Sequence, residues 1–441
     1  MRRPAWFWIA ILLLYAVHAV EAVRSERVLW SDGAYYFVQV VQNQQFAFGD
    51  STRAGADTLM EWPLMALLQA GVTDLHALKV AFALPAYLLT PLSLALCLWI
   101  SGSRRGLMIF PLATLAAGSM NTELLVIHES RVALALFWPV LFALSDPLKR
   151  RSTLVFAAAL SLPFIAAYES AMFFGPVVVL LALWSFRGER DFVRRGALAA
   201  LMTSGVLATV IAVASVIKPT HPANLVMFEK SFRVLFGEGG AGVTLSLVVL
   251  GLSALCALPA VSRFPLAWGS LLAVAMFVCA SGVEGALSEP ALIAVESQYR
   301  ARVLNVVLPV GLSVLFLAVR GRREAESESP ARYLLGALFV AQVALQLQLT
   351  GQWTQYLEAT REARACVRGL IPVDDAIGAR LDERQVSREW MRGWHHATVS
   401  FVDRAGSFAS AVGPWNGYTS WQPFDPRDEA SFPRLDRFGV D

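Results

Sequence analysis

The chain has 441 residues, 56% of them hydrophobic and 16% charged, with a mean hydropathy of +0.53. An ordinary soluble domain carries about 25% charged residues, so this composition points to a membrane protein. The 37 Lys and Arg nearly balance the 34 Asp and Glu, and the net charge of +3 is spread over many short loops, which excludes a basic face for nucleic acid. Cys97, Cys256, Cys279 and Cys366 show no CxxC or Cys/His spacing, which excludes a disulfide framework and a zinc site of the finger type.

In chain order, Met1-Arg2-Arg3 precedes an apolar run from Pro4 to Ala22. The run is longer than a typical signal-peptide core and reads as a retained first spanning helix. A span needs roughly 20 apolar residues, and on that basis the chain offers about eleven candidates, centred near residues 13, 89, 112, 136, 160, 178, 206, 252, 273, 311 and 341. The expected fold class is an all-α polytopic membrane protein. It divides into a transmembrane domain over residues 1–350, whose first outer loop is 23–77, and a small C-terminal extracytoplasmic domain over 351–441.

With eleven spans, Arg2-Arg3, Arg104-Arg105, Lys149 to Arg151, Arg187 to Arg195, Arg263 and Arg320 to Arg323 all fall on one side. The positive-inside rule makes that side cytoplasmic, in the manner of a bacterial inner membrane, with the N-terminus inside and the C-terminus outside. The longer loops then lie outside, and the chemistry is expected there.

The first of those loops, Leu29 to Val40, carries Asp32, Tyr35 and Tyr36, and a helix from Tyr35 to Phe46 suits the membrane interface. Asp32 is a candidate general base, and it is equally a favoured N-cap for a helix starting at Gly33. Further along, His128, Glu129 and Arg131 occupy one short outer turn and Glu169 a second; three outer corners converging on one cavity would make a reasonable active-site lining. The competing reading is that Glu129 or Glu169 pairs with a nearby arginine to hold helices together. Arg53 lies later in the first loop, in a segment that either binds substrate or connects. Tyr299, Arg300 and Arg302 precede a late span; the two arginines, like Arg131, suit a phosphate group or act as interfacial anchors.

An acid just after the first span, followed by aromatics and an interfacial helix in Trp30 to Tyr36, resembles the first outer loop of the GT-C superfamily of integral-membrane glycosyltransferases. The resemblance implies inverting transfer of a sugar from a polyprenyl-phosphate donor to a lipid, glycan or protein acceptor at the outer face. Asp32, Glu129 and Glu169 would be catalytic, and Tyr35, Tyr36, Arg53, His128, Arg131, Tyr299, Arg300 and Arg302 would bind substrate. No metal ligands are assigned, and a divalent cation is left open as a cofactor because Gly33 stands where many members carry a second acid. Membrane lipids are expected partners and nucleic acid is not. The alternatives are an enzyme like the O-antigen polymerases and ligases, or a transporter or flippase of lipid-linked glycans.

Overall fold

The computed structural model describes residues 6–30, 32–47, 51–120, 129–146, 150–219, 273, 296–320, 331–365, 370–372, 377–386 and 410–412. In chain order the helices are α1 (Trp6–Arg24), α2 (Asp32–Asn43), α3 (Ala54–Gln69), α4 (Leu75–Ser101), α5 (Ile109–Met120), α6 (Glu129–Leu144), α7 (Arg151–Phe164), α8 (Ala171–Phe186), α9 (Phe192–Ile217), α10 (Glu296–Val319), α11 (Ala331–Ala365) and α12 (Gly378–Glu383). Two short strands, β1 (Leu370–Pro372) and β2 (Ser410–Val412), pair in parallel with Leu370 opposite Ser410.

Local signals explain several boundaries. Asp74 caps α4 by accepting from the His76 N–H at 3.0 Å, and Asp191 caps α9 by accepting from the Arg194 N–H at 3.0 Å. Gly102, at φ 59°, ends α4 in a conformation that costs glycine little. The chain leaves α1 through Glu26, which adopts φ 55° and is gripped by Lys79 of α4 at 2.9 Å; a single turn, Arg27–Leu29, then leads into α2.

The core is a bundle around α6, every residue of which is buried except Arg131. Polar side chains tie neighbours to one another inside it. Ser93 of α4 donates to the Ala135 carbonyl of α6 at 2.7 Å, Asn305 of α10 to Ser130 of α6 at 2.9 Å, and Ser161 of α7 to Ser204 of α9 at 3.0 Å. Each such bond offsets the cost of burying a polar group among apolar ones.

The expectation of about eleven spans is corrected. Three helices are long and apolar enough to cross a membrane, by length and composition: α1, α4 and α9, with 19, 27 and 26 residues. The runs near 112, 136, 160 and 178 form α5 to α8, of 12, 16, 14 and 16 residues, below the roughly 20 that a hydrocarbon core requires. In α10 the apolar helix is Leu308–Val319. The 35-residue α11 is interrupted by Gln342, Gln346, Gln348 and Gln352. The run near 252 lies outside the described residues, as does the run near 273 apart from Ala273.

Hydropathy counts apolar residues wherever they stand, whereas a span requires them on one unbroken helix. It also does not tell a residue facing lipid from one packed against protein. The apolar run of α6 is of the second kind. The assignment of loops to two sides depended on the eleven-span count, so the expected inner-membrane topology with fixed sides for the two termini falls with it.

The three long helices do share a direction of traffic. α1 ends where α2 and α3 begin, and α3 leads directly into α4. α9 packs antiparallel to α8, and its neighbours include the turn Ser51–Arg53. One end of α1 and one end of α4 thus lie beside α2 and α3, and α9 reaches the turn that precedes α3. The opposite end collects arginines: Arg104 and Arg150 both reach the buried Asp146, Arg320 donates to Ser145 Oγ at 3.0 Å, and Arg151 pairs with Asp191.

Candidate functional site

The site begins with a close approach of backbones. The Gly55 N–H donates to the Ala166 carbonyl at 2.8 Å, and the Ala56 N–H shares that acceptor at 3.3 Å. A Cβ at Gly55 would lie 2.2 Å from the Pro163 carbonyl oxygen, so only glycine lets the start of α3 lie on the end of α7. Arg53, two residues earlier, is thereby set beside the α7–α8 corner that carries Tyr168 and Glu169.

Arg53 then binds two acids from two different elements. Its Nη2 donates to Glu169 Oε1 at 2.9 Å and its Nη1 to Glu129 Oε1, on the first residue of α6, at 3.4 Å. The guanidinium carbon stands 5.1 Å from the centroid of the Tyr168 ring, within cation–π range. Tyr36 of α2 donates to Glu129 Oε1 at 3.4 Å, and Tyr35 packs edge-to-face on Tyr36 at 5.5 Å. Burial works against the charge on Arg53, yet Glu129 and then Glu169 outweigh it and hold the guanidinium firmly protonated. Two buried polar atoms of this cluster make no hydrogen bond in the structure: Glu169 Oε2 and Arg53 Nε.

The other face of the same α6 turn carries a different group. The charge of Arg131 is coupled electrostatically to Tyr15 of α1, to Tyr87 of α4 and to Arg27. Arg27 donates through Nη1 to the Gln346 carbonyl and to Thr350 Oγ1 of α11, each at 3.0 Å. His18 of α1 packs between Tyr15 at 5.7 Å and Tyr87 at 5.8 Å. Burial lowers the proton affinity of both arginines, and Arg131 adds to the effect at Arg27.

Of the residues singled out in the sequence, Tyr35, Tyr36, Arg53, Glu129 and Glu169 are brought together, and Arg131 points to the second group. Asp32 is the first residue of α2, which starts three residues before the expected Tyr35; its side chain lies outside what is described, as do those of Tyr299, Arg300 and Arg302 and the whole of His128. Sequence reading missed Arg27, His18, Tyr15 and Tyr87. A usable signal was present: Tyr15 and His18 stand three apart within an apolar run, hence on one helix face, with Arg27 just beyond it. Among the described residues, no three His, Cys, Asp or Glu side chains gather as a metal site.

No family model, no curated protein and no solved structure matches the chain. The resemblance to the GT-C superfamily is corrected accordingly. It rested on Trp30 to Tyr36 and on an eleven-span architecture, and the described helices include three candidate spans instead. Polyprenyl-phosphate-dependent sugar transfer at an outer face falls with that architecture. So do the polymerase or ligase and flippase alternatives, which assumed the same multi-spanning frame.

Proposed function

We propose that the protein binds a hydroxyl-bearing lipid headgroup at the Arg53 cluster. The observation that carries this reading is the pair of buried, unbonded atoms Glu169 Oε2 and Arg53 Nε. One is an acceptor and the other a donor, and both belong to one ion pair. An alcohol both donates and accepts, so hydroxyl groups are the ligand chemistry that satisfies both atoms. Leaving a buried polar group without a partner costs about 1–3 kcal/mol, more when it is charged.

A lipid source is supported by the presence in the same fold of three helices long and apolar enough to cross a membrane, α1, α4 and α9. Exposed apolar side chains along those helices, among them Leu13, Val17, Leu88, Leu92, Val210 and Ile217, suit contact with hydrocarbon.

The test uses the full chain in a zwitterionic detergent, with a monohexosyl diacylglycerol added to the micelles. The wild type is expected to gain thermal stability in a saturable way. Glu169→Gln should bind about 10- to 100-fold more weakly, the equivalent of the roughly 1.5–3 kcal/mol that a hydrogen bond to a charged group contributes. Equal affinity in the two proteins would overturn the proposal.

A further inference from the structure

The hairpin of α8 and α9, with the end of α4 beside it, carries a surface that the Arg53 cluster does not use. We infer that this surface seats on an anionic lipid bilayer, with Trp184, Phe192 and Trp99 in the headgroup layer and Arg187, Arg190 and Arg195 on lipid phosphates. The aromatic rings are open to solvent: Phe192 is 89% exposed, Trp184 73% and Trp99 52%. Leu183 and Val193, next to them in the chain, are exposed as well. Apolar groups clustered in this way, and interleaved with cations, mark a contact surface rather than scattered surface residues.

Contacts across the surface hold its parts side by side. The guanidinium carbon of Arg195 lies 4.8 Å from the centroid of the Phe186 ring, which joins the start of α9 to the end of α8. Arg151, at the start of α7, pairs with Asp191, and the adjacent Arg150 lies over the Trp99 ring at 5.9 Å. Trp99 also meets Phe156 of α7 edge-to-face at 6.4 Å, so the end of α4 belongs to the same surface.

The charge of the hairpin selects the partner's sign. Its two acids are engaged within the protein: Glu189 pairs with Arg194 at 3.7 Å, and Asp191 pairs with Arg151 and caps α9. Arg187, Arg190 and Arg195 are exposed on the same hairpin, so the face it presents is positive. Arginine forks bind phosphate oxygens two at a time, and tryptophan favours the boundary between hydrocarbon and water. The neighbourhood favours a bilayer over an acidic protein. α9 begins at Phe192 and α4 ends two residues beyond Trp99, and both are long and apolar enough to cross a membrane. From the hairpin the exposed apolar surface continues along α8 and α9 through Leu180, Val206, Val210 and Val213, which suits hydrocarbon below a headgroup layer.

The experiment uses full-length protein, delipidated in a non-ionic detergent, with lipid binding measured by native mass spectrometry. Phosphatidic acid is compared with phosphatidylcholine of the same acyl chains, and soluble polyglutamate serves as a polyanion without a lipid tail. The wild type is expected to prefer phosphatidic acid, and the preference should fall as ionic strength rises. Arg187→Gln combined with Arg190→Gln should weaken phosphatidic acid binding by about 5- to 25-fold, since each basic side chain near an anionic surface contributes about fivefold. The same variant should bind phosphatidylcholine as the wild type does. Arg24→Gln combined with Lys218→Gln removes two exposed cations, just inside the end of α1 and just beyond that of α9, and should leave the preference intact. Trp184→Ser combined with Phe192→Ser should lower affinity for both lipids by a similar factor, because ring insertion does not read headgroup charge.

The inference is overturned if the wild type shows no preference for phosphatidic acid, or if the arginine variant keeps it. Polyglutamate binding as tight as that of phosphatidic acid, and lost in the arginine variant, would move the partner to an acidic protein and overturn the lipid assignment. Phosphatidic acid has no alcohol in its headgroup, and Glu169 lies about four turns of α8 from Trp184. Glu169→Gln should therefore bind phosphatidic acid like the wild type, and failure of either reading leaves the other standing.

Discussion

The two faces of the first turn of α6 handle buried charge in opposite ways. On one face Glu129 joins Glu169 around Arg53, two acids to one base, with aromatic rings close by. On the other, Arg131 and Arg27 bring two like charges into one apolar region with tyrosines and a histidine. Residues two apart on a helix project to nearly opposite sides, so one turn can carry both solutions. The difference teaches that a charge met by opposite charges and a charge held among uncharged groups contribute to the fold by different routes. The Arg53 cluster is a clasp joining the start of α3, α6 and the α7–α8 corner. Arg27, on the other face, ties the turn after α1 to α11 through the Gln346 carbonyl and Thr350 Oγ1.

The largest expected effect breaks the clasp. Arg53→Gln leaves two buried carboxylates without their shared cation, and removal of one partner from a buried ion pair costs about 3–5 kcal/mol. Chemical unfolding of the purified variant should show a loss in that range, whereas Arg131→Gln, which removes one of two like charges, should lose less. A larger loss at Arg131 than at Arg53 would reverse the assignment of which face is structural.

Next in size is a pH effect close to the clasp, at Glu61 of α3. Glu61 accepts from the Ala47 N–H at 2.8 Å, and burial raises its pKa from 4.5 to about 7, with that hydrogen bond opposing. The folded state therefore holds a proton that the unfolded state has already released above about pH 4.5. The contribution is fully present below pH 4.5 and is lost as pH rises through about 7, a span on the order of 3 kcal/mol. Glu61→Gln, which keeps an acceptor for Ala47, should flatten the stability profile between those values. An unchanged slope would place the titration elsewhere.

A smaller loss is expected at Gly55. An alanine Cβ there meets the Pro163 carbonyl at 2.2 Å, and both atoms belong to rigid parts of the chain, so α3 must move off α7. Overpacking of this kind costs about 1–3 kcal/mol. The displacement should also weaken the Arg53–Glu169 contact, so Gly55→Ala ought to reduce binding of the monohexosyl lipid along with stability. A stable variant with intact lipid binding would show that the approach of the two backbones does not set the position of Arg53.

How much of this was legible in the sequence differs between the two faces for a physical reason. Glu129 and Glu169 stand at the ends of apolar runs, where a charge is conspicuous, and pairing of either with a nearby arginine was one of the readings; that Arg53, in the long first loop, is that arginine is set by the tertiary approach of α3 to α7. His18, Tyr15 and Tyr87 sit inside apolar runs, where hydropathy averaging hides them. The helix lengths were less legible still. Pro163 lies one residue before the end of α7, yet the apolar composition continues past it through Phe164, Ile165, Ala166 and Ala167. A residue buried against protein, as along α6, has the same composition as one facing lipid.

The smallest quantity expected is the coupling between the two faces, and it is the most direct test of their separateness. Arg53 touches Glu129, Glu169 and Tyr168, while Arg131 is coupled electrostatically to Tyr15 and Tyr87, on α1 and α4. With no common side chain among these and a helix between them, the costs of Arg53→Gln and Arg131→Gln should add to within about 0.5 kcal/mol in the double variant. α6 links them, and a rigid link transmits position without transmitting energy unless it has two stable arrangements. An interaction energy above about 1 kcal/mol would mean that α6 shifts when either arginine is lost. The lipid-headgroup site would then be linked to the far face of α6, and Arg131→Gln would change affinity for the monohexosyl lipid by a factor of roughly five or more.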